Sequence, residues 1–193
     1  MKIGILGSAC DPPHKAHIKI GEYAKRVLGL DRIILIPTNI SPHKNTPAVN
    51  GKLRLVMARL AVKKLKGWSV SDIELKRKGV SYTKDTIREL KKLYPRDELF
   101  WIVGSDAIVA MKKKWKGGYR ALDMCKFIVF IRPGYALKTV PQKILKRVVV
   151  FKKILKRDLS STMLRQMFKN KKSAKQYLAP EVLKFIKQHN LYL

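Results

Sequence analysis

Residues 3–17 read Ile3-Gly4-Ile5-Leu6-Gly7-Ser8-Ala9-Cys10-Asp11-Pro12-Pro13-His14-Lys15-Ala16-His17, and their reading decides the fold. Ile3, Ile5 and Leu6 form a short apolar run, stopped by Gly7 and Ser8, of the kind expected of a buried parallel strand. Pro12 and Pro13 cannot donate to a sheet ladder, and proline suits the first turn of a helix, so a helix is expected from about His14. Ile20, Ala24, Val27 and Leu28 then recur at helical spacing and leave Lys15, Lys19, Glu22, Lys25 and Arg26 for solvent. Strand, small-residue turn and helix in succession gather free backbone N–H groups and the positive end of a helix dipole at one point, where an anion is favoured. His14 and His17, three residues apart, can both turn toward that anion. Gly7, Ser8, His14 and His17 are therefore candidate phosphate-binding residues. Two other readings stay open: ordinary surface histidines, or a metal set of Cys10, His14 and His17, for which no second ligand cluster is visible. The glycines match neither a dinucleotide fingerprint nor a phosphate loop with its lysine.

Outward from this stretch, Arg32-Ile33-Ile34-Leu35-Ile36 reads as a second buried strand closed by Pro37, which makes a parallel crossover unit. The polar run 38–50 is expected to be loop and contains Pro42-His43-Lys44. A helix is expected over 52–66, a strand over 68–75 with Ser71-Asp72 as its weak point, and a helix from about Thr83 to Tyr94 that Pro95 ends. Leu99-Phe100-Trp101-Ile102-Val103 is the next strand, and Gly104-Ser105-Asp106 stands at the sheet edge where open α/β folds bind ligands. A short helix over 107–111, a strand over 126–131, a loop over 135–142 and a late strand over 148–151 follow. In Leu159-Ser160-Ser161-Thr162-Met163-Leu164-Arg165, Ser160 or Ser161 can cap a helix, with Arg165 one turn on. Hydroxyls, free N–H groups and a guanidinium then share one helix end, either as a second anion site or as a plain capped surface helix. A last helix is expected over 180–189.

The chain has 193 residues, 46% of them hydrophobic, with three Trp, seven Tyr and six Phe. That is enough for one good core, so a single domain over 1–193 is expected. No apolar run reaches membrane-spanning length, and the N-terminus enters a strand at once, so a cytoplasmic protein is expected. Cys10 and Cys125 are too few for a disulfide framework. The formal net charge of +30 favours anionic partners without choosing among them. Lysine far outnumbers arginine and is scattered along the chain, which reads as a solvated basic surface rather than a concentrated nucleic-acid site. Nucleic acid is thus not the favoured partner, no membrane partner is expected, and the sequence does not set an oligomeric state.

His14-Lys15-Ala16-His17 resembles the His-x-Gly-His signature of the nucleotidylyltransferase superfamily, and Leu159 to Arg165 resembles its Ile-Ser-Ser-Thr-x-x-Arg signature. Between them, Pro42-His43-Lys44, Ser81-Tyr82-Thr83-Lys84-Asp85-Thr86, Gly104-Ser105-Asp106, Trp115 and Arg132-Pro133-Gly134 are similar, in order, to landmarks of the bacterial nicotinate-mononucleotide adenylyltransferases. The resemblance implies a Rossmann-like, doubly wound parallel sheet with a C-terminal helical segment. It implies a reaction in which the 5′-phosphate of nicotinate mononucleotide attacks the α-phosphorus of ATP, giving deamido-NAD and pyrophosphate, with Mg2+ accompanying ATP. By the same resemblance His14, His17, Lys44 and Arg165 would be catalytic, and Gly7, Ser8, Gly104, Asp106, Ser160, Ser161 and Thr162 would bind ATP. Thr83 would read the nicotinate carboxylate and Trp115 would stack on the pyridine ring. As plain structure, Trp115 is a hydrophobic anchor, Asp106 a helix cap and Lys44 a solvated loop residue. The chain departs from the family's Gly-Gly-Thr-Phe-Asp-Pro loop at Ser8, Ala9 and Cys10, and Ala16 stands between the histidines in place of glycine. A methyl at position 16 costs little only if φ is negative there and nothing packs against the Cα. Two alternatives accompany this reading: another mononucleotide nucleotidyltransferase, and a catalytically lapsed, basic nucleic-acid-binding protein on the same scaffold.

Overall fold

The computed structural model describes residues 1–42, 46–151 and 159–192. Its strands are β1 (Lys2–Ser8), β2 (Arg32–Pro37), β3 (Trp68–Val70), β4 (Glu98–Gly104), β5 (Lys126–Phe130) and β6 (Val148–Phe151). Its α-helices are α1 (Lys15–Leu28), α2 (Gly51–Val62), α3 (Ile73–Arg77), α4 (Thr83–Leu93), α5 (Ser105–Lys114), α6 (Gln142–Leu145), α7 (Ser161–Lys169) and α8 (Pro180–Gln188). All strand pairs are parallel, and the spatial order is β3-β2-β1-β4-β5-β6. The chain works outward from β1 to β3 and then returns to lay β4 on the other side of β1. The loops beyond β1 and β4 diverge there, opening a crevice at their carboxyl ends.

Both faces of the sheet are covered, which is why its strands read as near-continuous apolar runs. Ile3, Ile5, Ile34, Ile36, Trp101, Phe127 and Val129 point to one face and meet Ile87 and Leu90 of α4 and Ile108 and Met111 of α5. Leu6, Ile33, Leu35, Phe100, Ile102 and Ile128 point to the other and meet Ala24 of α1 and Ala58 and Val62 of α2. A third cluster joins Met57 of α2 to Leu164 and Phe168 of α7 and Val182 and Ile186 of α8, so the C-terminal helices are docked on α2. At Gly4 a Cβ would come within 3.0 Å of Leu30 Cδ1 and closer still to Ile33 Cδ1, so glycine lets β1 and β2 share this face without displacing side chains. Gly29 ends α1 in the left-handed region (φ 60°), its N–H bonded to the Lys25 carbonyl, where a side chain would be strained.

Several boundaries differ from the sequence expectation. β1 runs on through Gly7 and Ser8, because Ile36 and Pro37 of β2 continue the ladder beside them. The expected strand over 68–75 ends at Val70, its pairing with β2 covering only Ile33 to Leu35 although β2 itself runs on to Pro37. Ser71-Asp72 then turns the chain into α3, whose Glu74 is buried and accepts a hydrogen bond from Thr86 Oγ1 at 2.8 Å. The second long helix stops at Val62 rather than 66. α5 starts at Ser105, two residues earlier than expected, and runs to Lys114, because Gly104 already has the extended conformation of a cap. The expected loop over 135–142 includes a 3-10 turn at Leu137–Thr139, and α6 begins at its end.

Candidate active site

β1 delivers Ser8 to the crevice, the chain turns through Ala9–Pro13 with Cys10 at φ 53° and a cis Asp11–Pro12 bond, and His14 caps α1. Capping is reciprocal: the His14 N–H donates to His17 Nδ1 at 3.2 Å, and the His17 N–H donates to the His14 carbonyl at 2.9 Å. The two rings stack with centroids 3.8 Å apart. His17 Nε2 lies 2.9 Å from Ser8 Oγ, which also accepts the Cys10 N–H at 3.2 Å. Ala16 is an ordinary helical residue without positive φ, so its methyl meets no backbone strain; it is buried.

His14 is buried, and its Nδ1 has no hydrogen-bond partner among the described residues. Burial, with the Arg132 cation second, pushes its pKa down from 6.5 to about 4. Between those values the unfolded chain binds a proton that the folded ring refuses, so stability falls as pH drops through that window and is fully present above it. At 1.36 kcal/mol per unit the loss approaches about 3 kcal/mol. Urea denaturation across the window should show this slope, and His14→Gln should flatten it.

A buried arginine holds the loops that frame the crevice. Arg54 of α2 donates from Nε to the Val49 carbonyl at 2.9 Å, from Nη1 to the carbonyls of Ala9 (2.7 Å) and Thr38, and from Nη2 to that of Asn39 (3.2 Å). The turn after β1 and the loop after β2 are thereby fixed to one guanidinium. Asp11, also buried, accepts from the Ala48 N–H at 2.7 Å and the Tyr192 hydroxyl at 2.8 Å. The nearby carboxylate and burial together push the Tyr192 pKa well above the ordinary tyrosine range, burial being the larger cause.

α7 is tied to the same turn. Arg165 Nη1 donates to the Asp11 carbonyl at 2.8 Å and lies 3.5 Å from its carboxylate, while Nη2 meets Thr162 Oγ1 at 3.3 Å. Ser161 Oγ donates to the Pro12 carbonyl at 2.9 Å, and Ser160 caps α7 by accepting the Met163 N–H at 3.2 Å. The free N–H ends of α1 and α7 therefore sit side by side, an arrangement suited to an anion. Arg165, expected as a cationic contact, here directs donors into Asp11 and Thr162.

Across the crevice, Arg132 Nη1 pairs with Asp106 Oδ2 at 2.7 Å, and the Arg132 N–H donates to Ser105 Oγ at 3.0 Å. This pair lies over Gly104, where a Cβ would collide with Asp106 and stand 2.7 Å from Arg132 Cδ. Thr83 is the first residue of α4, capped by Tyr82. Lys116 Nζ stands 5.3 Å from the Tyr82 ring centre, which brings the segment carrying Trp115 against the start of α4. Trp115 is half-buried beside Phe127, with centroids 6.4 Å apart. His43 and Lys44 lie outside the described residues. The described residues contain no group of three or more His, Cys, Asp or Glu that could hold a metal ion, and burial pushes the Cys10 thiol up to about 12.

Three contributors escaped the sequence reading: Arg54, Tyr192 and Arg132 as an individual side chain. Arg54 had a signal, since it shares the buried face of α2 with Met57 and Ala58, and a charge on such a face needs partners. Tyr192 had none, its partner being 181 positions away.

Fold and site together define a doubly wound α/β protein with a crevice for an anionic nucleotide at its switch point. The chain belongs to the cytidylyltransferase-like family, whose model matches residues 5–167, and within it to the nicotinate-nucleotide adenylyltransferases, to which it is similar over its whole length. A probable nicotinate-nucleotide adenylyltransferase of Oceanobacillus iheyensis is 39% identical over 191 residues, covering 99% of this chain and 96% of that one. The nicotinate-nucleotide adenylyltransferase of Bacillus subtilis is 35% identical over 192 residues, covering 99% and 98%. The fold is shared with Plasmodium falciparum nicotinic acid mononucleotide adenylyltransferase complexed with NaAD, at a TM-score of 0.80 and 20% identity over 99% of this chain and 97% of that one. No helix among the described residues is long and apolar enough to cross a membrane.

Proposed function

We propose that this protein is a cytoplasmic, single-domain adenylyltransferase that joins ATP and nicotinate mononucleotide to give deamido-NAD and pyrophosphate. The observation that carries the reading is the buried His14 ring with its unpartnered Nδ1, stacked on His17 where the N-termini of α1 and α7 meet. That Nδ1 lacks a hydrogen-bond partner among the described residues and is placed for a phosphate oxygen.

A phosphate oxygen of the mononucleotide attacks the α-phosphorus of ATP, the bond from that phosphorus to the bridging oxygen of the β-phosphate breaks, and pyrophosphate leaves. Transfer of this kind asks the protein for alignment and charge stabilisation rather than a nucleophile. His14 and the Ser8–His17 pair take the α-phosphate region, with Gly7 leaving the backbone open. Ser160, Ser161, Thr162 and the α7 N–H groups take the departing phosphates, and Arg165 holds α7 to Asp11 while adding positive charge. Gly104 and Asp106 take the nucleoside side of the crevice, and Thr83 and Trp115 the pyridine carboxylate and ring. Lys44 is proposed as a further cation.

Asp11 and Asp106 both have their carboxylates engaged, so no protein ligand is assigned to a metal. Magnesium is proposed to arrive on the triphosphate, where it neutralises phosphate charge.

Purified protein supplied with ATP, Mg2+ and nicotinate mononucleotide should release pyrophosphate and form deamido-NAD, and nicotinamide mononucleotide in a parallel assay reads the acid-versus-amide preference. Absence of pyrophosphate with any mononucleotide, together with salt-sensitive binding of DNA or RNA, would overturn the reading.

A further inference from the structure

Glu74 of α3 is a buried carboxylate that the proposed reaction does not use, and Ser81 and Thr86 beside it are buried as well. Its hydrogen-bond partners are hydroxyls. The Thr86 hydroxyl accepts from Arg77 Nη2 at 2.9 Å, so its one hydrogen is left for Glu74 Oε1 at 2.8 Å. The Ser81 hydroxyl accepts from the Asn39 N–H at 3.2 Å and, with the Thr38 hydroxyl, hydrogen-bonds the Glu74 carboxylate. Arg77 pairs with Glu89 at 2.8 Å. One carboxylate thus joins the loop after β2, the chain entering α4, and α4 itself.

The backbone between α3 and α4 needs such a fixture. Lys78 has φ 58° and ψ 169°, a region that a lysine holds only when its surroundings enforce it, and Gly79 follows at φ 67°. Beyond them the chain returns to the sheet edge: Asn39 Nδ2 donates to the Gly79 carbonyl at 2.9 Å, Val80 bridges Ile40, and the Ser81 N–H donates to the Ile40 carbonyl at 2.8 Å. Two residues on lies Thr83, at the start of α4, and Lys116, next to Trp115, lies over the Tyr82 ring. Replacing a buried charge by a well-packed apolar residue is often neutral for stability, so stability alone does not account for an acid here.

We infer that Glu74 is a positioning residue for the mononucleotide: it sets the place of the 80–83 segment, and through that segment the groups that receive the pyridine ring and its carboxylate. The inference deepens the proposed function and rests on its assignment of Thr83 and Trp115.

The test uses the full chain, with nicotinate mononucleotide titrated by calorimetry and steady-state kinetics run against each substrate. Glu74→Ala should weaken mononucleotide binding and raise its KM about tenfold, the worth of one hydrogen bond to a charged group, while KM for ATP stays within about twofold. Glu74→Gln, which keeps an acceptor facing Thr86, should recover most of the loss. Ser81→Ala loses a single hydroxyl and should raise the mononucleotide KM in the same direction, which reads the role even if Glu74→Ala fails to fold. The two changes together should cost less than their sum, because they break one network. A mononucleotide KM unchanged in Glu74→Ala or, where that variant does not fold, in Ser81→Ala, or equal rises for both substrates, overturns the positioning role and leaves the reaction standing. Glu74-dependent binding of the mononucleotide without release of pyrophosphate refutes the reaction while supporting the role. Wild-type protein that binds no mononucleotide overturns both.

Discussion

His17→Ala should lower kcat/KM for adenylyl transfer by about 10²–10³-fold, the usual cost of removing a preorganised donor system from a site of developing charge. His17 connects the start of α1 to Ser8, accepting from the His14 N–H at 3.2 Å on one side of its ring and lying 2.9 Å from Ser8 Oγ on the other. Truncation leaves that N–H without its partner and removes one of the bonds that orient Ser8, the Cys10 N–H remaining, so the geometry of the turn loosens. The fold should survive, because His17 is only half-buried and belongs to none of the apolar clusters. One orphaned donor costs about 1–3 kcal/mol. A second variant separates the two effects. His17→Asn can keep an acceptor near the position of Nδ1 but cannot reach Ser8, so it should recover most of the stability and little of the rate. Steady-state kinetics beside thermal melts would decide, and a His17→Ala rate close to that of the unmodified protein would refute the role.

Arg54→Met should be the most destabilising single change at the sheet edge. Methionine keeps the unbranched apolar stem of the side chain but strands the carbonyls of Val49, Ala9, Thr38 and Asn39, all of which now accept from one guanidinium. Removing one partner of a buried charged network costs about 3–5 kcal/mol. For a chain of this size that corresponds to a fall in Tm of roughly 6–20 °C. Arg59→Met, an exposed arginine on the same helix, is the control and should shift Tm by no more than about 2 °C. Because Arg54 joins the turn after β1 to the loop after β2, KM for ATP should rise in whatever folded protein remains. A melt unchanged by Arg54→Met would mean that these loops hold themselves.

Legibility differed from element to element for physical reasons. Five strands, the long helices and both anion-favoured helix starts could be read from local signals: apolar runs, helical spacing, proline and glycine punctuation, and capping hydroxyls. The segment 68–75 could not, because Trp68, Val70, Ile73 and Leu75 satisfy a strand as well as a helix. Its conformation was decided by tertiary partners, Ile73 packing against the core and Glu74 accepting from Thr86 of α4, which are properties of another part of the chain. Gly7 and Ser8 looked like a stop and proved to be strand for the same reason, since β2 continues the ladder past them.

The sequence by itself determined the α/β class, the parallel crossover at the N-terminus, and the presence of a histidine-bearing turn there and of a hydroxyl-bearing helix start near the other end. These follow from interactions within a few residues of one another. Only the tertiary structure decided that the two helix starts meet, through Arg165 and Asp11, 154 positions apart, and Ser161 and Pro12, 149 apart. It also decided that Arg54 and Tyr192 frame the site, and that His17 faces Ser8 rather than solvent. Side-chain partners across such distances depend on how the sheet twists and how the C-terminal helices dock on α2, and no local pattern carries that information.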